Sequence, residues 1–164
     1  MIVKKSLLFF YKSRFQWFKA LMLFIGGIAF IAILSFFCKV VISETDSLPE
    51  HYFLHFPFIK AHKNDYTFFY SEWYQGKIIK KIIGVEGDKI MRDKTDCVWV
   101  NQTRIGIPKL KATDGSRLTP VEAKIIPKGY VFVYSNNENS FDSRYEELGL
   151  IPVSSLQGRL LALR

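Results

Sequence analysis

The longest apolar run of the chain is Ala20 to Cys38, 19 consecutive residues without a charged side chain. At 1.5 Å per residue a helix of that length spans roughly 28 Å, close to the ~30 Å hydrocarbon core of a bilayer. A core helix in a soluble domain normally keeps a polar stripe, and this run has none. The pattern predicts a transmembrane helix, with Trp17 and Phe18 at the interface and Gly26-Gly27 tolerated inside it. The run exceeds the roughly 7–15 apolar residues of a cleaved signal peptide, so an uncleaved signal anchor is expected. Beyond it the apolar positions fall into short segments. Thr67 to Tyr70, Lys77 to Val85, Lys89 to Arg92, Cys97 to Val100, Tyr130 to Tyr134 and Arg159 to Leu163 read as strands. Turn signals separate them at Glu86-Gly87-Asp88, Asn101-Gln102, Asp114-Gly115 and Pro127-Lys128-Gly129. No long amphipathic helix follows the anchor. The expected fold is mainly β, an antiparallel domain behind one N-terminal transmembrane helix. Residues 1–19 would be a basic arm, 20–42 the anchor and 43–164 the outer domain.

The chain has 164 residues and a net charge of +8, which allows one domain plus an anchor. The charge is uneven. Lys4, Lys5, Lys12, Arg14 and Lys19 precede the span with no acid among them, while 18 basic and 15 acidic side chains follow it. A nucleic-acid-binding domain would hold its basic excess in the folded part, so no nucleic-acid partner is expected. Five positive residues before the span, against Lys39, Glu44 and Asp46 just after it, place the N-terminus in the cytoplasm. The outer domain would then lie in a bacterial periplasm, anchored in the inner membrane by a single pass. Cys38 and Cys97 are not expected to meet, and no cysteine spacing fits a metal site. His51, His55 and His62 lack a matching carboxylate pattern and read as surface or packing residues. Asn101-Gln102-Thr103 fits a glycosylation sequon but is uninformative in a bacterial context.

Three segments carry candidate chemistry: Thr45-Asp46-Ser47-Leu48-Pro49, the run from Lys80 to Asp88, and Asn139-Ser140-Phe141-Asp142-Ser143-Arg144-Tyr145. A serine hydroxyl is a poor nucleophile until a base takes its proton. Lysine is such a base only when neutral, and its reference pKa is about 10.4. Burial among apolar side chains disfavours the ammonium and lowers that value by up to ~3–5 units. On a strand, Ile78 and Ile82 share the face of Lys80, and Ile79 and Ile83 share that of Lys81. Periodicity therefore does not choose between the two lysines.

Together and in this order behind an anchor, the segments resemble the bacterial type I signal peptidase family. The likeness is greatest to its conjugal-transfer, TraF-type branch of pilin-processing peptidases. It runs from the anchor to Arg164, and Asn-Ser-Phe-Asp-Ser-Arg-Tyr is its most specific part. The resemblance implies that Ser47 is the nucleophile and Lys80 the general base. It implies that Thr45 and the Ser47 backbone N–H stabilise the oxyanion, and that Ser140 supports the lysine. Asp142 and Arg144 would form a structural ion pair. Lys81 stands where the family has Arg, while Gly84, Gly87 and Asp88 match its pattern. The chain departs from the pattern at His51 (for Gly), at Glu86 (for Pro) and at the extra residues Glu146-Glu147-Leu148. It also has Tyr134-Ser135-Asn136-Asn137 where the family often has Gly-Asp-Asn-Arg.

The expected function is a membrane-anchored serine endopeptidase that needs no metal or organic cofactor. Its partners would be membrane lipid and a membrane-tethered exported precursor, the prepilin of a conjugative type IV secretion system. The precursor would present an extended segment to a strand edge. The acyl-enzyme would be released by water, or by the substrate's own amine to give a circular pilin. The rivals are a housekeeping signal peptidase and an inactive membrane-anchored scaffold of the same fold.

Overall fold

The computed structural model describes residues 3–43, 47–71 and 76–163, with side chains from residue 16 onward. The chain divides into two units, Met1–Cys38 and Lys39–Arg164. The first is one helix, α1 (Val3–Phe37), which takes in the basic arm as well as the apolar run. Its stretch Gln16–Phe37 is long and apolar enough to cross a membrane. Leu23, Phe24, Phe30 and Ile31 are exposed along it. A helix apolar all round needs an apolar medium to cover it.

Within the range 20–42 expected for the anchor, the secondary structure changes. The helix ends at Phe37, and Lys39–Ile42 forms the first strand, β1. Val40, Val41 and Ile42 are β-branched, stiff at χ1 and suited to a sheet. They pair antiparallel with β2 (Tyr52–Phe56), Val41 opposite Phe53.

The remaining strands are β3 (Tyr66–Ser71), β4 (Gly76–Gly84), β5 (Lys89–Arg92), β6 (Val98–Val100) and β7 (Thr103–Gly106). They are followed by β8 (Lys124–Ile125), β9 (Tyr130–Tyr134), β10 (Ile151–Pro152) and β11 (Arg159–Ala162). Seven form one sheet in the order β1-β2-β11-β3-β4-β9-β10, and four form a second in the order β7-β6-β5-β8. Every pairing is antiparallel, as the sequence predicts.

Alternation along the central strands feeds three cores. On β9, Val131 and Val133 pack with Phe69, Ile78, Ile82 and Ile151. Phe132, between them, points the other way into Ile90, Val98, Val100, Ile105, Val121 and Ile126. Leu48, Phe53, Phe68, Ile79 and Leu160 make the third core. The register of β4 against β9 shifts between Ile82 and Gly84. A Cβ at Gly84 would come within 2.6 Å of Ile126 Cδ1 and 3.0 Å of both Phe132 and Val100. Glycine is therefore required where the strand presses on the second sheet.

β4 pairs with β3 along residues 76–81 but with β9 only from Lys81 onward. On the β9 side, residues 76–80 have no strand partner among the described residues. A sheet edge thus opens beside Lys80.

Candidate active site

Two anchors fix the segment that carries Ser47. Leu48 is buried in the third core, and Ser43 N–H donates to His51 O at 2.8 Å, closing the segment on itself. Lys80 comes from the middle of β4, opposite Thr67 of β3. Thr67 is fully buried, and its hydroxyl donates to Gly158 O at 2.7 Å. Gly158 has φ +83°, and a Cβ there would meet Phe56 O at 2.5 Å. Only glycine fits this turn.

Lys80 is 3% exposed. Its Nζ lies 3.1 Å from Ser47 Oγ and 2.7 Å from Ser140 Oγ. Burial pushes the amine from its ordinary 10.5 down to about 8. Asp142 acts against that shift and Arg144 with it. Lys81 points to the other face, where its Nζ sits 5.8 Å from the centre of the Tyr66 ring. The two lysines, alike in periodicity, thus differ in what covers each face.

Ser140 belongs to a loop tied down from inside. Arg144 Nε donates to Asp142 Oδ1 at 2.8 Å and Nη2 donates to Oδ2 at 3.0 Å. The same Nη2 donates to the carbonyls of Asn137 and Ser140, at 2.9 and 3.1 Å. Asp142 and Arg144 are both buried. The guanidinium centre lies 5.1 Å from the Tyr134 ring and 5.8 Å from that of Tyr145. Such a pair satisfies its charges internally and fixes the backbone that carries Ser140.

A cleft of about 670 Å³ opens over these groups, lined by Ser47, Ile78, Ile79, Lys80 and Ser140 among others. Its far wall is a hairpin over residues 109–118. Leu118 N–H donates to Leu110 O at 3.0 Å, and Ala112 N–H to Ser116 O at 2.9 Å. Tyr145 ties this hairpin to the loop, its hydroxyl accepting from Lys109 N–H at 3.1 Å. The chemistry available is proton transfer between a serine and a lysine poised near neutrality, beside an open strand edge.

Of the residues singled out from sequence, Ser47, Lys80, Ser140, Asp142 and Arg144 converge here. Thr45 lies outside the described residues. His55, read as a packing residue, is buried in β2 and its Nε2 is paired with Gln157 O. The sequence reading missed Leu48 as an anchor. It also missed Ser135, which is 1% exposed and lies against Ser47 O. The signals were present: an apolar residue directly after the serine, and a departure from the family pattern at position 135.

Residues 14–163 match the family described as signal peptidase, peptidase S26. A conjugal transfer protein TraF of Agrobacterium fabrum is 29% identical over 83 residues, 49% of this chain and 45% of that protein. The match thus spans less than half of that relative's length. A crystal structure of a signal peptidase I from Enterococcus faecalis aligns with a TM-score of 0.41 at 22% identity, covering 62% of this chain and 97% of the other. With nearly the whole chain inside the family match, this protein belongs to the signal peptidase family, peptidase S26.

Proposed function

We propose that the protein is a membrane-anchored serine endopeptidase in which Ser47 is the nucleophile and Lys80 the general base. The observation that carries the reading is the buried Lys80 amine, held between Ser47 Oγ and Ser140 Oγ with its pKa lowered to about 8. In the neutral form Lys80 accepts the Ser47 proton as Oγ attacks the scissile carbonyl. The Ser47 N–H and, on the family pattern, the Thr45 hydroxyl would face the developing oxyanion. Lys80 then returns the proton to the leaving amine. The upstream part of the substrate is left as an ester on Ser47. Water, deprotonated by the same lysine, releases it.

The substrate is an exported precursor that lays an extended segment along the open edge of β4 at residues 76–80. Likeness to a conjugal transfer protein favours the pilin precursor of a conjugative system. Ser47 lies nine residues beyond Cys38, which keeps the reaction near the membrane that tethers such a precursor. The charge step across the span supports an N-in topology with the domain outside the cytoplasm.

The test is cleavage of a prepilin by the full chain in detergent or vesicles. Ser47→Ala is expected to abolish it while the protein stays folded and inserted. Intact-mass spectrometry of the wild-type product is expected to give a linear pilin with a free N-terminus. Wild-type cleavage rates from Ser47→Ala would overturn the assignment. A product one water lighter would replace hydrolysis with cyclisation.

A further inference from the structure

We infer that Tyr145 is a positioning residue for substrate binding: its hydroxyl latches the 109–118 hairpin over the cleft, so that the precursor meets a preset second wall opposite the open edge of β4. The inference rests on the Ser47–Lys80 reading above and deepens it.

The cleft has two walls of different kinds. Ile78 and Ile79 come from β4, a strand built into the larger sheet. Lys109, Ala112 and Leu118 come from the hairpin, whose legs belong to neither sheet. The hairpin is stiff within itself. Besides the two bonds between its legs, Gly115 N–H donates to Ala112 O at 3.0 Å and Ser116 N–H to Asp114 Oδ1 at 2.9 Å. Gly115 has φ +85°, a conformation that glycine adopts without strain. A unit of this kind keeps its own shape, and its place over the cleft is set where its two ends are held.

The second leg runs into backbone pairing with the segment that follows Ser140. Glu146 N–H donates to Thr119 O at 2.9 Å and Val121 N–H to Arg144 O at 2.8 Å. Leu118, at the base of that leg, is buried. The first leg has no such ladder. Ile107 and Leu110 are exposed on it, and Pro108 is buried but carries no N–H to donate. Lys109 Nζ donates to Asn139 Oδ1 at the surface, where water competes for both groups. The directional hold from the interior is the Lys109 N–H, which donates to Tyr145 Oη at 3.1 Å. Tyr145 is 2% exposed, its ring stacked on Phe141 with centroids 6.0 Å apart and 5.8 Å from the Arg144 guanidinium. The residue that closes the first leg is thus seated in the loop that carries Ser140, and its backbone bridges to Pro120 behind the second leg. A wall fixed in this way before the substrate arrives spares the ordering that a mobile one would undergo on binding.

Tyr145→Phe removes the hydroxyl and keeps the ring against Phe141. With the full chain in detergent and a leader-peptide substrate, KM should rise about 5-fold, the scale of one neutral hydrogen bond. Turnover should stay within about 2-fold, because the binding lost is equal in the ground and transition states. The pH midpoint should not move, since Lys80 and Ser140 are untouched. Lys124→Ala is the control. It breaks the pair with Glu146, the next residue after Tyr145, and leaves the Tyr145 hydroxyl in place. Its KM should stay within about 2-fold of wild type.

Wild-type KM in Tyr145→Phe would overturn the inference. So would an equal rise of KM in Lys124→Ala, or a loss in Tyr145→Phe confined to kcat, or a shifted pH midpoint. Hydrogen exchange separates this inference from the reading beneath it. In Tyr145→Phe the Lys109 amide should exchange about 10-fold faster than in wild type, while the Ala112 and Leu118 amides, bonded within the hairpin, change less. If the wild-type protein cleaves no precursor, the Ser47–Lys80 reading fails, while faster exchange at Lys109 still upholds the latch. Unchanged exchange at Lys109 removes the latch whatever the protein cleaves.

Discussion

Two lysines stand side by side on β4, and the strand turns them into different chemical objects. Lys80 faces Ser47 and Ser140, is almost fully buried, and has its pKa drawn down to about 8. Lys81 faces the other way, half-buried, with its amine over the Tyr66 ring. Their neighbours in sequence are alike, an isoleucine two residues away on each side. The difference is made by what lies across each face. The Lys80 side is closed by the serine segments and the 135–145 loop, and the Lys81 side keeps access to water. The lowered pKa of one amine thus comes from its cover more than from its strand.

The largest expected effect separates these two faces. Lys80→Ala should lower cleavage of a leader peptide by at least about 10³-fold, as for loss of a general base. Lys81→Ala should stay within about 2-fold. Measured kcat/KM for the two variants checks this, and a dead Lys81→Ala beside an active Lys80→Ala would exchange the roles.

A second contrast sets the buried Asp142–Arg144 pair against the half-exposed Lys124–Glu146 pair. Asp142→Ala strands a buried guanidinium and should cost about 3–5 kcal/mol of folding stability. Lys124→Ala should cost under about 1 kcal/mol, because water screens that pair. Denaturant midpoints in detergent, compared at equal m-values, measure both.

Ser140→Ala leaves the Lys80 amine in place but removes a partner that aims it. Turnover should fall about 10²-fold, in the range of acid–base positioning, with KM changed little. Turnover at the wild-type level would confine Ser140 to a structural role.

Much of the outer fold is legible in sequence because its strands alternate or stand between clear turns, as at 130–134 and 77–85. The strands that were not legible have physical reasons. β1 continues the apolar run of the helix, so hydrophobicity does not mark where one ends and the other begins. β2, Tyr-Phe-Leu-His-Phe, has no alternation to read. β8 and β10 are two residues long and exist only through their partners. In the site, Ser47, Lys80 and Ser140 are marked by family likeness and local motifs. Ser135 is not, because its contact joins residues 88 positions apart and no local pattern encodes it. The choice between Lys80 and Lys81 is likewise a tertiary property, since both sides of the strand carry isoleucine.

The central claim is that Lys80 works as a neutral base. Its pKa in the folded protein lies below the 10.5 of an unperturbed lysine, so it loses its proton early as pH rises. Below about pH 8 the amine is mostly an ammonium and cannot accept the Ser47 proton; above it the base form dominates. The direct measurement is kcat/KM of the full chain against pH from 6 to 10 with one leader peptide. Activity is expected to rise tenfold per pH unit at the acid end and to level off near pH 8. A profile flat across that range, or one that climbs without levelling until about pH 10.5, would contradict a buried neutral lysine at the centre of the mechanism.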